Sequence, residues 1–462
     1  MVELRLDQIA ARVAGRIVQG NPSSLFRIYN IDSRLSRPGE LFFAVVAGRD
    51  GHEFLPDAVR RGAGGAVISR DIEPVDRDFA LIRVADTVAA LQALARSVVD
   101  EYRPRIVGIT GSIGKTTTKE FTAGMLSKRF RVLKSEGNFN NRLGLPLSLL
   151  KYRPGQEIAV LEMGTSGSGE ILALTRTAPP DVAVITNVHP VHLEFFRTME
   201  AIAQAKKEIL DGTKPGGTAV LNGDDERIKT IGQNWTGRRI TFGFSAECDV
   251  QAGPVRKLGE AGMVFELRVE DRTGEVRFPF LYEDYVSNLL AAVGAAHALS
   301  LPFEAIVESI PRFSPFPGRG KLIRLGRDRL LVDDSYNSNP KALEAALKGL
   351  TSLPAKRRIA ALGDMLELGP EEIDFHRKAG KQVVAHGWDE LWAVGPLARH
   401  IAAGALDAGL PENRVRTFAT SEEAAAGIPS LVREGDLILV KGSRGIKTEL
   451  LVERLEKDFK ES

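Results

Sequence analysis

The stretch Ile106-Val-Gly-Ile-Thr-Gly-Ser-Ile-Gly-Lys-Thr-Thr-Thr118 decides the fold. Its apolar run, Ile106 to Ile109, reads as a buried strand, and the small residues that follow turn the chain into a helix headed by Lys115 and Thr116. Strand, glycine turn and helix start together make a phosphate cradle, formed by Gly111, Ser112, Gly114, Lys115, Thr116 and Thr117. N–H groups at the helix start point at an anion, Lys115 can reach terminal phosphates, and the Thr116 hydroxyl can bind Mg²⁺. The usual P-loop has a glycine five positions before its Gly-Lys; Ile109 stands there, leaving the shorter Gly111-x-x-Gly114-Lys115-Thr116. That departure argues against an ordinary GTPase or kinase.

Upstream, Val88 to Val98 reads as a helix leading into this strand. Before about residue 84 the chain mixes short strands with turns, including a strand in Gly39 to Val46 and a short helix, Phe54 to Arg61, ended by Gly62. Downstream, the apolar strands Ile158–Glu162, Val182–Thr186 and Thr218–Asn222 alternate with helices, and that alternation is expected to continue to about residue 313. Such a pattern implies a mostly parallel sheet covered on both faces.

Ser314-Pro-Phe-Pro-Gly-Arg-Gly320 is the best linker, with two prolines and two glycines in seven residues. Beyond it a second α/β pattern has strands at Leu330–Asp333, Arg358–Leu362, Glu390–Val394 and Asp436–Val440. Three of these run into polar or glycine-rich groups, at Asp334, Gly363-Asp364 and Lys441-Gly-Ser-Arg444. Ligands of open α/β sheets bind beyond the carboxyl ends of strands.

At 462 residues the chain is long enough for about three domains. A net charge of +2 says little about nucleic acid or membrane surfaces, and no partner of either kind is expected. Cys248 is the single cysteine, which excludes an intrachain disulfide framework and fits a reducing compartment. The first residues lack an uninterrupted apolar core, and no apolar stretch approaches the roughly 20 residues of a spanning helix. A cytoplasmic enzyme is expected.

Several side chains carry chemistry. Glu162 ends a strand before the loop Gly164-Thr-Ser-Gly-Ser-Gly169, where a carboxylate can bind Mg²⁺ directly or through water. His189 and His192 follow the strand at Val182, and the pattern alone does not choose between them. Lys206 is more telling. Apolar residues at 199, 202, 203, 209 and 210 form one helical stripe with Lys206 at its centre, whereas Lys207 points away. A lysine so placed is costly unless its charge is removed or paired, or its stem reaches water. Asn288, early in the helix read as Asn288 to His297, and Arg319 in the linker sit near the expected nucleotide. Asp334, after a strand, can accept a ribose hydroxyl, and Asn339-Pro340 caps the next helix.

These features resemble the Mur ligases, the ATP-dependent amide-forming enzymes of peptidoglycan precursor synthesis. Matching segments run nearly end to end: Asp32-Ser-Arg34, Gly39-Glu-Leu-Phe-Phe-Ala44, Gly111 to Thr117, Gly137-Asn-Phe-Asn-Asn-Arg-Leu-Gly-Leu-Pro-Leu147 and Glu162-Met-Gly164. They continue with His192-Leu-Glu194, Ala205-Lys206, Pro317-Gly-Arg319, Asp333-Asp-Ser-Tyr-Asn-Ser-Asn-Pro340, Gly363-Asp-Met-Leu-Glu-Leu-Gly369 and Lys441-Gly-Ser-Arg444. The stretches at 333–340 and 363–369 are similar to the branch that adds D-alanyl-D-alanine to UDP-N-acetylmuramoyl-tripeptide.

The resemblance implies an α/β fold of three domains: a small UDP-substrate-binding domain over 1–84, a central P-loop-type ATPase domain with a mostly parallel sheet over 85–313, and a C-terminal Rossmann-like domain over 314–462. It implies that Ser33 and Arg34 hold the UDP end and that Asn337 touches substrate. Thr116 and Glu162 would serve one Mg²⁺, and His192 with a carbamylated Lys206 a second. Lys115, Glu162, His192 and Lys206 would form the catalytic set, with Asn288, Arg319 and Asp334 on ATP. Asp284 stands where the family commonly has histidine, in Tyr282-Glu-Asp-Tyr-Val-Ser-Asn288. A monomer is expected. The competing readings are a sibling ligase adding a single amino acid and a non-catalytic nucleotide-binding regulator on the same scaffold.

Overall fold

The computed structural model describes residues 2–72, 76, 78–190 and 196–460. The chain divides into two compact units, one of Met1–Val188, Glu200–Phe242 and Ala291–Pro302, the other of His189–Met199, Gly243–Leu290 and Phe303–Ser462.

The first unit is built on two main sheets, beside two short two-stranded ones. Its larger sheet has the strand order Val132–Lys134, Ile158–Glu162, Arg105–Thr110, Val182–Ile185, Thr218–Asn222, Arg238–Gly243, all parallel. The four central strands are buried on both faces, as a sheet covered by helices on each side demands. Arg105–Thr110 comes first in the chain yet lies between Ile158–Glu162 and Val182–Ile185, so the strand order reverses beside it. A crevice opens at such a reversal, beyond the carboxyl end of the strand. That end is the phosphate loop.

The helix feeding this strand runs Thr87–Tyr102, longer than the expected stretch, because Val99 remains on the buried face. The Asp86 carboxylate accepts from Val88 N (2.7 Å) and Ala89 N (3.0 Å), satisfying two orphan donors of the first turn. The smaller sheet orders Arg16–Gln19, Ala80–Arg83, Gly65–Ile68, Leu41–Phe43 and Tyr29–Asn30, with only Arg16–Gln19 antiparallel to its neighbour.

In the second unit the expected strand–helix alternation fails between 250 and 278. Val250–Ala252, Arg256–Lys257 and Arg272–Phe278 all pair antiparallel with Met263–Val269. The physical reason is a period of two: Phe265 to Val269 and Val276 to Phe278 alternate between buried and more exposed positions, which suits a ribbon with one packed face. A helix then spans Asp284–Ala298, beginning at Asp284 and not at Asn288, so Asn288 lies in its second turn.

The C-terminal sheet orders Lys321–Arg324, Leu330–Asp334, Asp436–Lys441, Arg357–Gly363, Glu390–Val394 and Val415–Phe418, antiparallel only at its first strand. Its two ends differ in chemistry. At the amino ends, buried Arg357 binds Asp436 (2.7 Å) and Glu390 (2.8 Å), and each of these three is the first residue of its strand. This fork is closed on itself and structural. The carboxyl ends carry the polar candidates Asp334 and Lys441.

Candidate active site

The phosphate loop leaves its strand at Gly111, whose φ is 148° and where a Cβ would lie 1.9 Å from Thr186 Oγ1. Only glycine fits. Gly114, with φ of 84°, caps the Lys115–Leu126 helix in the left-handed region. The Lys115 ammonium folds back on the loop, donating to Gly111 O (2.8 Å) and Ser112 O (3.1 Å). The loop is buttressed from the next strand: Asn187 Oδ1 accepts from Ile113 N (2.8 Å), while Thr186 Oγ1 donates to Ile113 O (2.7 Å).

Glu162 reaches this loop because its strand lies in parallel register, pairing Glu162 with Ile109. Its carboxylate is 2% exposed and accepts from Thr116 Oγ1 (2.8 Å) and Asn140 Nδ2 (2.8 Å). A hydroxyl and a carboxylate in contact are hard oxygen donors, which suit Mg²⁺. That ion keeps several waters and takes one or two carboxylates beside substrate phosphates. Among the described residues no group of three or more His, Cys, Asp or Glu is placed to hold a metal ion. The oxygen set therefore fits an ion shared with a polyphosphate and not a closed protein cage.

Lys206 is 1% exposed on the Met199–Asp211 helix, among Ile202, Ala203, Ile209 and Leu210. Lys207 points elsewhere and pairs with Asp211 at 2.6 Å. Burial, assisted by the charge of Lys115, pushes the Lys206 ammonium down to about 7. His192 lies outside the described residues.

In the N-terminal part of this unit, Ser33 and Arg34 share a single helical turn, Ser33–Leu35. Ser33 is buried, and exposed Arg34 is held by Asp32 at 2.7 Å. A cavity of about 490 Å³ opens beside that turn, bordered by Arg37, Glu40, Lys134, Lys151 and Arg153.

The second unit gathers the other candidates. Asp334 and Lys441 end adjacent strands in register, and Lys441 Nζ donates to Asp334 Oδ2 (2.7 Å) and Asn337 O (3.0 Å). Burial pushes the Asp334 carboxyl up against the opposing pull of Lys441 and Arg319. The Arg319 guanidinium lies 4.2 Å from the centre of the Tyr336 ring, and Tyr336 N donates to Gly318 O (3.1 Å). Asn288 is buried, and Asn337 is exposed.

Two family models match, the Mur ligase middle domain over residues 109–296 and the Mur ligase, glutamate ligase domain over 318–444. The chain is 33% identical over 460 residues to the UDP-N-acetylmuramoyl-tripeptide--D-alanyl-D-alanine ligase of Bacillus subtilis, covering 98% of this chain and 99% of the relative. The chain belongs to the Mur ligase family. The ligase of the same description from Escherichia coli is 32% identical over 464 residues, covering 99% of each chain. Among solved structures, MurF from Acinetobacter baumannii superposes with a TM-score of 0.90 at 30% identity over 99% of each chain. MurF ligase from Thermotoga maritima in complex with ADP gives 0.81 at 30% identity, over 94% of this chain and 97% of that one. The three-domain α/β architecture of the Mur ligase fold follows.

In this Mur ligase several site residues carry no sequence signal strong enough to single them out. Asn187 sits in a loop and is recognisable only by what it touches, while Asn140 belongs to the matched run 137–147 but shows its contact with Glu162 only in the structure. Lys441 was visible as a polar strand end, but its partner Asp334 lies 107 residues away. Tyr336 belongs to the matched stretch 333–340, but its place under the Arg319 guanidinium shows only in the structure.

Proposed function

We infer that this Mur ligase joins D-alanyl-D-alanine to UDP-N-acetylmuramoyl-tripeptide with ATP, in peptidoglycan precursor synthesis. It is an ADP-forming ligase. The observation that carries the reading is end-to-end similarity, near 30% identity, to ligases of that description. The contact of Thr116 with Glu162 beside the phosphate loop supports ATP as the energy source.

The chemistry begins with two anions. A carboxylate oxygen of the tripeptide attacks the γ-phosphorus, the bond to the β-phosphate oxygen breaks, and ADP leaves an acyl phosphate. The amine nitrogen of D-alanyl-D-alanine then attacks the acyl carbon, the carbon–phosphate oxygen bond breaks, and inorganic phosphate and a proton are released. Two unit charges 4 Å apart at an effective dielectric of 20 repel by about 4 kcal/mol, worth roughly 10³-fold in rate. Lys115 at the loop and Arg319 offset that repulsion. When bound, Mg²⁺ neutralises charge on the phosphoryl oxygens. Thr116 and Glu162 would hold it, and His192 with Lys206 would hold a second ion.

Lys206 fits that role only without its proton, since an ammonium repels a cation. A neutral buried amine can react with CO₂ to give a carbamate, an anion bearing two oxygen donors. Ser33 and Arg34 are assigned to the UDP end, Asn337 to substrate, and Asn288 and Asp334 to the nucleotide. Among the described residues no helix is long and apolar enough to cross a membrane. Nucleotide-linked substrates and the single cysteine support a cytoplasmic setting.

A mass-spectrometric ligation assay with a panel of amines tests the assignment. D-alanyl-D-alanine should be coupled in preference to free lysine or diaminopimelate. Preference for either single amino acid would point to the sibling reading and leave the ligase class intact.

Arg319→Ala should slow phosphate release at saturating ATP by about 10²-fold, the usual cost of one preorganised electrostatic donor. Wild-type turnover in that variant would leave Arg319 only its stacking on Tyr336.

A further inference from the structure

Lys119 is a second fully buried lysine, 0% exposed, and no step above uses it. It lies one turn into the Lys115–Leu126 helix that the phosphate loop opens. Its ammonium donates to Ser135 O (2.7 Å) and Gly137 O (3.1 Å), and Glu120 Oε1 lies 3.3 Å away. Three acceptors for three donors is the condition under which a buried ammonium is tolerated.

The loop it grips leads directly to Glu162. Ser135 Oγ accepts from Glu162 N (3.1 Å), and Asn140 Nδ2 donates to Glu162 Oε1 (2.8 Å). Asn140 O accepts from Gly164 N (2.8 Å), just past Glu162. A Cβ at Gly164 would come within 2.8 Å of the Asn140 side chain, so the two segments are in close contact. Thr116, three residues before Lys119 on the same helix, holds the other carboxylate oxygen of Glu162 at 2.8 Å. Helix, loop and strand thus form a closed circuit around one carboxylate; Lys119 ties the helix to the loop from within, and Lys134, just before the loop, pairs with Glu120 of the same helix.

We propose that Lys119 is a positioning residue that clamps the Ser135–Asn140 loop to the phosphate-loop helix, and so fixes the Glu162 carboxylate for the divalent ion of a nucleotide. The proposal rests on the nucleotide reading given above. An apolar side chain of similar length would fill the same space and release the loop. Outer partners of this kind typically set metal affinity by about 10-fold to 10²-fold.

The test is ADP binding by calorimetry across a range of Mg²⁺ concentrations. In Lys119→Met the Mg²⁺ needed for half of the metal-dependent gain in affinity should rise about 10-fold or more. ADP affinity without Mg²⁺ should stay within about threefold of wild type. A folded Met variant with an unchanged Mg²⁺ dependence overturns the proposal. Should Lys119→Met fail to fold, Lys119→Gln decides: its amide is uncharged and one bond shorter, so the paired grip on Ser135 O and Gly137 O is lost while the site stays polar. A raised Mg²⁺ requirement in that variant supports the clamp, and a wild-type requirement overturns it. A wild-type protein whose ADP binding ignored Mg²⁺ would instead sink the metal reading itself, a separate result from an unresponsive Lys119 variant.

Discussion

Lys206→Met should lose ligase activity by about 10²-fold or more while the protein still folds. Lys206 sits wholly within an apolar face, so methionine suits both the helix and its surroundings. What methionine lacks is an amine that can become an anion. Lys207→Ala is the control on the same helix. Lys207 is partly exposed and pairs with Asp211 in an i,i+4 surface contact, so its loss should be nearly silent. Equal, small effects from the two substitutions would remove Lys206 from the chemistry.

The same variant gives a pH signature. The Lys206 ammonium titrates at about 7 in the folded protein, against 10.5 for an unperturbed lysine. Below about 7 both folded and unfolded chains carry the proton, and the buried charge destabilises the fold in full. Between about 7 and 10.5 the unfolded chain holds a proton that the folded chain has released, so wild-type stability rises with pH across that window. In bicarbonate-free buffer, Lys206→Met should therefore melt above wild type by the widest margin below pH 7, and the margin should shrink toward 10.5. A margin that stayed constant across this range would mean that Lys206 keeps its proton throughout.

Glu162→Gln is expected to cost about 10²-fold or more in turnover and to abolish most of the Mg²⁺ dependence of ADP binding. The amide keeps the shape of the carboxylate and can still accept from Thr116, so the strand and helix should stay in place. The negative charge goes. Binding of ADP without Mg²⁺ should survive, since the loop N–H groups are untouched. Equal loss of ADP affinity with and without the metal would show Glu162 acting on the loop's structure and not on the ion.

The parts that were legible in the sequence share one property: their signal is local. The phosphate loop is contiguous, and glycine at 111 is forced by a single close approach to Thr186. The placement of Lys206 needed only the period of one helix. Non-local pairings were hidden. Asp334 meets Lys441 because two parallel strands align in register across 107 residues, which no spacing rule reveals. Lys119 is illegible in the sequence for a different reason. Its helix is buried at Thr117, Thr118, Phe121, Thr122, Ala123, Met125 and Leu126, so there is no narrow apolar stripe against which a lysine would stand out. The antiparallel ribbon from 250 to 278 was masked by its company, since its neighbours do alternate strand and helix. His192 lies outside the described residues, so the choice between it and His189 stays with the family resemblance.

Activation of a substrate carboxylate by phosphoryl transfer at this loop can be measured directly with an isotope. UDP-N-acetylmuramoyl-tripeptide labelled with ¹⁸O in its reacting carboxylate is turned over with ATP and D-alanyl-D-alanine, and the released phosphate is analysed by mass spectrometry. One ¹⁸O per inorganic phosphate is the predicted result, because the attacking carboxylate oxygen leaves with the phosphoryl group when the amine takes its place. Released phosphate free of label, with ligated product formed, would contradict the mechanism.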